Sequence, residues 1–109
     1  MVSSSKSIKK DIKDIEDNGL FSKLKFKQYL KKIKDEDVFE YGVIFDDLKE
    51  IDPENNYKLY MSKEGQDGER TDYVNYNKIF VLTCNELQKL KSRIDELENK
   101  LKKWKVYNI

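Results

Sequence analysis

The residues best placed to do chemistry in this sequence are carboxylates and tyrosines crowded into its middle. Asp46, Asp47, Glu50, Asp52, Glu54, Glu64, Asp67, Glu69 and Asp72 lie close together, with Tyr41, Tyr57, Tyr60, Tyr73 and Tyr76 among them. Carboxylates that converge on one point beside a lysine hold Mg²⁺ and orient water for phosphodiester hydrolysis. The fragment nearest to that pattern is Asp47-Leu48-Lys49, whose upstream acidic partners are limited to Asp35 and Asp37. Carboxylates spread over a small sheet do something different. They imitate the phosphate spacing of nucleic acid and occupy the basic groove of a nucleic-acid-handling protein, with electrostatic attraction speeding the encounter. Tyrosines suit the same task because they bury a large area at low entropic cost. On this reading the candidate partner-binding residues are Asp46, Asp47, Tyr57, Tyr60, Glu64, Asp67, Glu69, Asp72, Tyr73 and Tyr76. The plainer alternative is a solvated hairpin whose tyrosines are half-buried sheet residues.

Composition narrows the chemistry further. The 109 residues include no histidine and one cysteine. The commonest general base near neutral pH and the commonest zinc ligand are therefore absent. Cys84 has no second thiol to pair with and no histidine to activate it, so a buried structural role is expected. No glycine-rich phosphate loop, dinucleotide fingerprint or EF-hand spacing occurs. No catalytic residue, metal site or cofactor is expected. The longest apolar run, Ile79-Phe80-Val81-Leu82, is far short of the ~20 residues of a spanning helix. The start, Met1-Val2-Ser3-Ser4-Ser5-Lys6, lacks the apolar centre of a secretion signal. A soluble, cytoplasmic protein without a membrane partner is expected.

A charged fraction of 39% against 38% hydrophobic residues predicts one domain, 1–109, with a small core and long charged faces. The net charge of +1 hides a segregation. Residues 1–36 carry ten lysines and six acids, residues 37–83 five basic and eleven acidic residues, and residues 84–109 seven basic and four acidic. Three parts are expected: a basic helical part (1–36), an acidic β part (37–83) and a C-terminal helix (84–105).

The elements follow from periodicity. Ile8, Ile12 and Ile15 share a helical stripe, predicting a first helix over Ser7–Asp17 that Asn18-Gly19 ends. Phe26, Tyr29, Leu30 and Ile33 predict a second over Lys23–Asp35, capped by Ser22 and stapled by Phe21 against Phe26. Its lysine ridge, Lys23, Lys27, Lys31 and Lys34, is the alternative set of nucleic-acid contacts. From Val38 to Phe45 the residues are β-branched and aromatic, predicting a strand with a possible bulge at Gly42. Asp46 to Asp52 read as one short helical turn, ended at Pro53. Tyr57–Ser62 and Arg70–Val74 read as strands around a Gly65–Gly68 tip, and Lys78–Leu82 as the most buried strand. The expected fold class is α+β: two N-terminal helices, an antiparallel meander of three or four strands, and a long amphipathic C-terminal helix.

That last helix is the most regular feature. Thr83 and Glu86 match a capping box. Leu87, Leu90, Ile94, Leu97, Leu101 and Trp104 then follow at alternating spacings of three and four, the a/d seam of a coiled coil. In a parallel pair Glu86 meets Lys91 and Arg93 meets Glu98, whereas Lys100 opposes Lys105. A homodimer through this seam is expected; the alternative packs the seam on the chain's own sheet.

One stretch resembles a known family. Asp67-Gly68-Glu69-Arg70-Thr71, then Val81-Leu82-Thr83, then a long helix, looks like the wing and dimerisation helix of MarR/SarA-type winged-helix regulators. The resemblance implies that Arg70 touches DNA and that the C-terminal helix dimerises. The sequence as a whole favours a non-enzymatic binder: a small inhibitor or adaptor of phage or mobile-element type, blocking a basic site on a host protein or ribonucleoprotein such as a CRISPR effector. A dimeric winged-helix DNA-binding regulator is the alternative.

Overall fold

The computed structural model describes residues 5–107; the Met1–Ser4 start discussed above lies outside them. The fold is α+β. It holds a short helix α1 (Leu20–Lys23), strands β1 (Lys27–Ile33) and β2 (Glu36–Gly42), helix α2 (Phe45–Ile51), strands β3 (Tyr60–Glu64) and β4 (Arg70–Val74), and helix α3 (Tyr76–Tyr107). The strands form two separate antiparallel hairpins, β1–β2 and β3–β4, and not one meander.

The core takes one buried apolar side chain from each helix, one from β3 and three from the connecting segments, while β1, β2 and β4 send in none. Leu20 from α1, Leu24, Val43, Leu48 from α2, Leu59, Tyr60 from β3 and Ile79 from α3 are the buried apolar residues, with Leu48 and Leu59 fully enclosed. The Tyr60 hydroxyl donates to the Asp52 carbonyl at 2.6 Å. Asp52 is itself buried, and its carboxylate accepts the Asn56 and Tyr57 N–H groups at 2.9 and 3.0 Å. It thereby satisfies backbone donors of the loop that follows α2, which ends where Pro53 was expected to end it.

The expected second helix is instead the β1–β2 hairpin. Ile33 pairs with Glu36, so the loop is the two residues Lys34 and Asp35, both left-handed at φ 50° and 64°. That is the geometry of a type I′ turn, for which Asn-Gly is the usual signal. Lys-Asp disguises it, and Phe26, Leu30 and Ile33 fit a helical stripe as well as a strand. Lys34→Asn with Asp35→Gly is expected to relieve the left-handed strain by about 1 kcal/mol, raising the unfolding midpoint by about 4 °C or more in a thermal melt.

The expected first helix is also absent. One 3-10 turn covers Lys6–Ile8, and Asp11 takes a left-handed φ of 55°. A helix of eleven residues with β-branched isoleucine at every apolar position is marginal without a surface to pack on. Ile8 and Ile12 are exposed. Asn18 and Gly19 are left-handed as the sequence suggested, although they lead into α1 and do not end a helix. Ser22 lies inside α1, and Phe21 still meets Phe26, at 6.2 Å between ring centres.

The third departure is the segment Lys78–Leu82, which belongs to α3. The four-residue apolar run Ile79-Phe80-Val81-Leu82 does not distinguish strand from helix by its period. The cap is Asn75, whose side-chain oxygen accepts the Lys78 N–H at 3.1 Å. Thr83 is interior to the helix and donates back to the Ile79 carbonyl at 2.8 Å. Cys84 is exposed rather than buried, two turns inside the helix. Gly42 makes room instead of a bulge: a Cβ there would run into the Tyr76 hydroxyl, which accepts the Val43 N–H at 3.1 Å. No described helix is long and apolar enough to cross a membrane.

Candidate binding surfaces

Helix α3 has 32 residues, about 48 Å at 1.5 Å per residue. It projects from the small core, so the chain has a radius of gyration of 20.1 Å, against about 13 Å for a compact domain of this length. Because α3 starts at Tyr76, its a/d register extends back to Phe80 (a) and Thr83 (d), one heptad further than the sequence suggested. Leu87, Leu90, Ile94, Leu97, Leu101 and Trp104 are each at least 50% exposed, and so is Phe80.

The chain's own contacts with this part of α3 lie on its other side. A groove between the N-terminal segment and α3 is lined by Lys13, Asp14 and Ile15 on one wall, and by Asn85, Gln88, Lys89, Ser92, Arg93 and Glu96 on the other. Asn85, Gln88, Lys89, Ser92 and Glu96 are b, c and f positions, facing away from the seam. Lys89 Nζ lies 3.7 Å from the buried Asp17 carboxylate, anchoring that segment. The seam is therefore not packed on the chain's own sheet. Along α3, Lys91 pairs with Asp95 at 3.0 Å and Arg93 with Glu96 at 3.6 Å.

The acidic residues do not gather on one face. Asp46 and Asp47 sit in the first turn of α2. Lys27 reaches Asp47 at 2.7 Å, and this ammonium holds the Asp47 carboxyl below the usual carboxylate range. On β3–β4 the pleat sorts the side chains. Glu64, Arg70, Ser62 and Asp72 share one face, where Arg70 lies 3.4 Å from Asp72 and Ser62 donates to Asp72 at 2.6 Å. Met61, Lys63, Thr71 and Tyr73 share the other. Asp67 and Glu69 occupy the tip, where Asp67 accepts the Glu69 N–H at 3.0 Å. No group of three described carboxylates or thiols could hold a metal ion.

The tyrosines divide likewise. Tyr60 is core, Tyr57 accepts a hydrogen bond from Asn18 at 3.0 Å, and Tyr73 and Tyr76 are about half exposed. Tyr29 donates to Glu40 at 3.2 Å; partial desolvation, with Tyr76 and Glu40 nearby, pushes its hydroxyl up. The lysine ridge is broken by the hairpin: Lys23 lies in α1, Lys27 and Lys31 on one face of β1, and Lys34 in the turn.

A surface that sequence reasoning missed is the opposite face of β1–β2. Leu30 pairs across the strands with Phe39, and Tyr41 packs edge-on against Phe39 at 5.1 Å between ring centres. All three are exposed, as is Phe26. The alternation of Phe26, Gln28, Leu30 and Lys32 carried the signal, but only once the segment is a strand.

Residues 4–57, just under half of the chain, match the family described as the chaperone of endosialidase. The chain is similar to that family over the N-terminal segment, α1, β1–β2 and α2; β3–β4 and α3 lie outside the matched residues. No curated protein and no solved structure matches the chain.

Proposed function

We propose that this chain is a non-enzymatic protein-binding module of chaperone or assembly type, which associates with further copies of itself along α3 and offers its hairpins to a partner polypeptide. The observation that carries the reading is the exposed seam of α3, from Phe80 to Leu101, on the side of the helix that the chain's own N-terminal segment leaves open. Apolar area supplies the association energy, and the flanking charges choose the orientation: each exposed ion pair is worth only ~0–1 kcal/mol. Parallel chains bring Glu86 to Lys91 and Arg93 to Glu98. The likeness to a chaperone family supports a protein as the partner, and accords with the phage or mobile-element setting expected from the sequence.

The narrower expectation, an acidic inhibitor of a basic site, draws its remaining support from Asp46, Glu64, Asp67 and Glu69, which form no ion pair among the described residues, since Asp47, Asp52 and Asp72 are engaged within the chain. A winged-helix role draws on β3–β4 leading into α3, but the helix before that hairpin is seven residues long and carries Asp46 and Asp47 in its first turn. A DNA reader needs positive charge there.

Affinity capture on the tagged full chain, from extract of its native host with and without nuclease treatment, tests the reading. One nuclease-resistant protein partner is the expected result. Recovery of nucleic acid alone, lost on nuclease treatment, would overturn it.

A further inference from the structure

Three of the five basic residues between Asp37 and Thr83 line a single cleft, and no acid lines it. The cleft, about 570 Å³, lies between the outer face of β3–β4 and the start of α3. Lys58, Lys63 and Lys78 contribute charge, and Met61, Tyr73 and Val74 contribute apolar surface. This is an inversion of the local composition, in which acids outnumber bases. The pleat produces it by sending Glu64 and Asp72 to the opposite face, where they lie with Arg70. Lys58, Lys63 and Lys78 form no ion pair with a described carboxylate, unlike Lys27, Lys89 and Lys91.

Two further features of the cleft suit a peptide better than a bare ion. Asn55 Nδ2 donates to the Tyr60 carbonyl at 2.8 Å, while its Oδ1 is buried without a hydrogen-bond partner. That acceptor is closed to solvent, so a ligand N–H satisfies it only when the Asn55 side chain turns toward the cleft. Tyr76 and Asn77, also in the lining, are first-turn residues of α3, and their N–H groups have no acceptor within the helix.

We infer that this cleft binds an acidic peptide segment, its carboxylates held by Lys58, Lys63 and Lys78 and its backbone carbonyls met by the open N–H groups at the start of α3. The inference rests on the protein-binding reading and names the chemistry of the partner.

The test is a titration of the ¹⁵N-labelled full chain with acetylated tetraglutamate amide, with tetraglutamine amide and with inorganic phosphate. Saturable shifts at Asn55, Lys63, Tyr76 and Asn77 are expected with tetraglutamate alone. Lys63→Ser with Lys78→Ser is expected to weaken binding about tenfold, with Ser62 and Asp72 amide shifts confirming an intact hairpin. Lys102→Ser with Lys103→Ser is expected to leave binding unchanged. No saturation, equal weakening by both double variants, or equal affinity for phosphate would overturn the inference. Any of these would still leave a captured protein partner standing, so failure here and failure of the protein-binding reading are distinguishable.

Discussion

Leu48→Ala is expected to lower the unfolding midpoint of the globular part by about 10 °C or more. Leu48 is 1% exposed and belongs to a core of seven buried apolar residues. Removing a buried leucine side chain costs about 2–5 kcal/mol, because the transfer energy and the cavity both count. A domain this small has total stability near the lower end of ~5–15 kcal/mol, so one such change removes a large share of it. No second layer exists among the described residues to compensate, since each helix and β3 send in one buried apolar side chain and β1, β2 and β4 none. Val81→Ala, on an exposed b position of α3, is the matched control and should shift the midpoint by no more than about 2 °C. A thermal melt followed through dispersed amide or methyl signals reads both. Equal shifts for the two variants would show that the core is not where stability resides.

Leu97→Asp is expected to weaken self-association at least about a hundredfold while the core stays folded. Leu97 is a d position two-thirds of the way along α3, half exposed in the single chain. Each chain of a pair would lose about 1.5 kcal/mol or more of buried leucine and place a carboxylate in an apolar seam. Ile79 anchors α3 to the core, five turns earlier, so the globular part has no reason to respond. Sedimentation velocity across a concentration series reads the association. A variant that unfolds outright would place Leu97 in the chain's own stability and not in an interface.

What the sequence made legible was the chemistry that depends on short-range pattern. The Gly65–Gly68 tip forms, with Gly68 left-handed at φ 80°. Arg70–Val74 is a strand as expected, and the helix carrying Leu87 to Trp104 is a single uninterrupted element. The failures have one common origin. Where an apolar residue recurs at both strand and helix spacing, the deciding term is what the face meets, and that is tertiary. Phe26, Leu30 and Ile33 satisfy a helical stripe until Lys34 and Asp35 are seen to turn the chain back on itself. Ile8, Ile12 and Ile15 satisfy one too, but find nothing large enough to bury them.

The candidate surfaces show the same division. The apolar stripe of α3 was readable because a heptad is a local pattern; its extension to Phe80 was not, because Asn75 rather than Thr83 caps the helix. The acidic residues were readable by count but not by position. Strand alternation separates Asp72 from Tyr73, Lys27 engages Asp47, and the loop after α2 takes Asp52 inside. The lysine cleft beside α3 was hidden by the acids that surround it in sequence.

The most direct test of the central claim is the mass and strand orientation of the purified chain in solution. In Cys84→Ser carrying Lys103→Cys, a nitroxide at position 103 reports orientation. Parallel pairing along α3 predicts a mass of at least two 13.1 kDa chains and a label separation of about 25 Å or less, set by helix spacing plus linker length. A 13.1 kDa monomer at about 100 μM, weaker than any such seam should allow, or labels more than about 30 Å apart along the axis as antiparallel chains require, would contradict it.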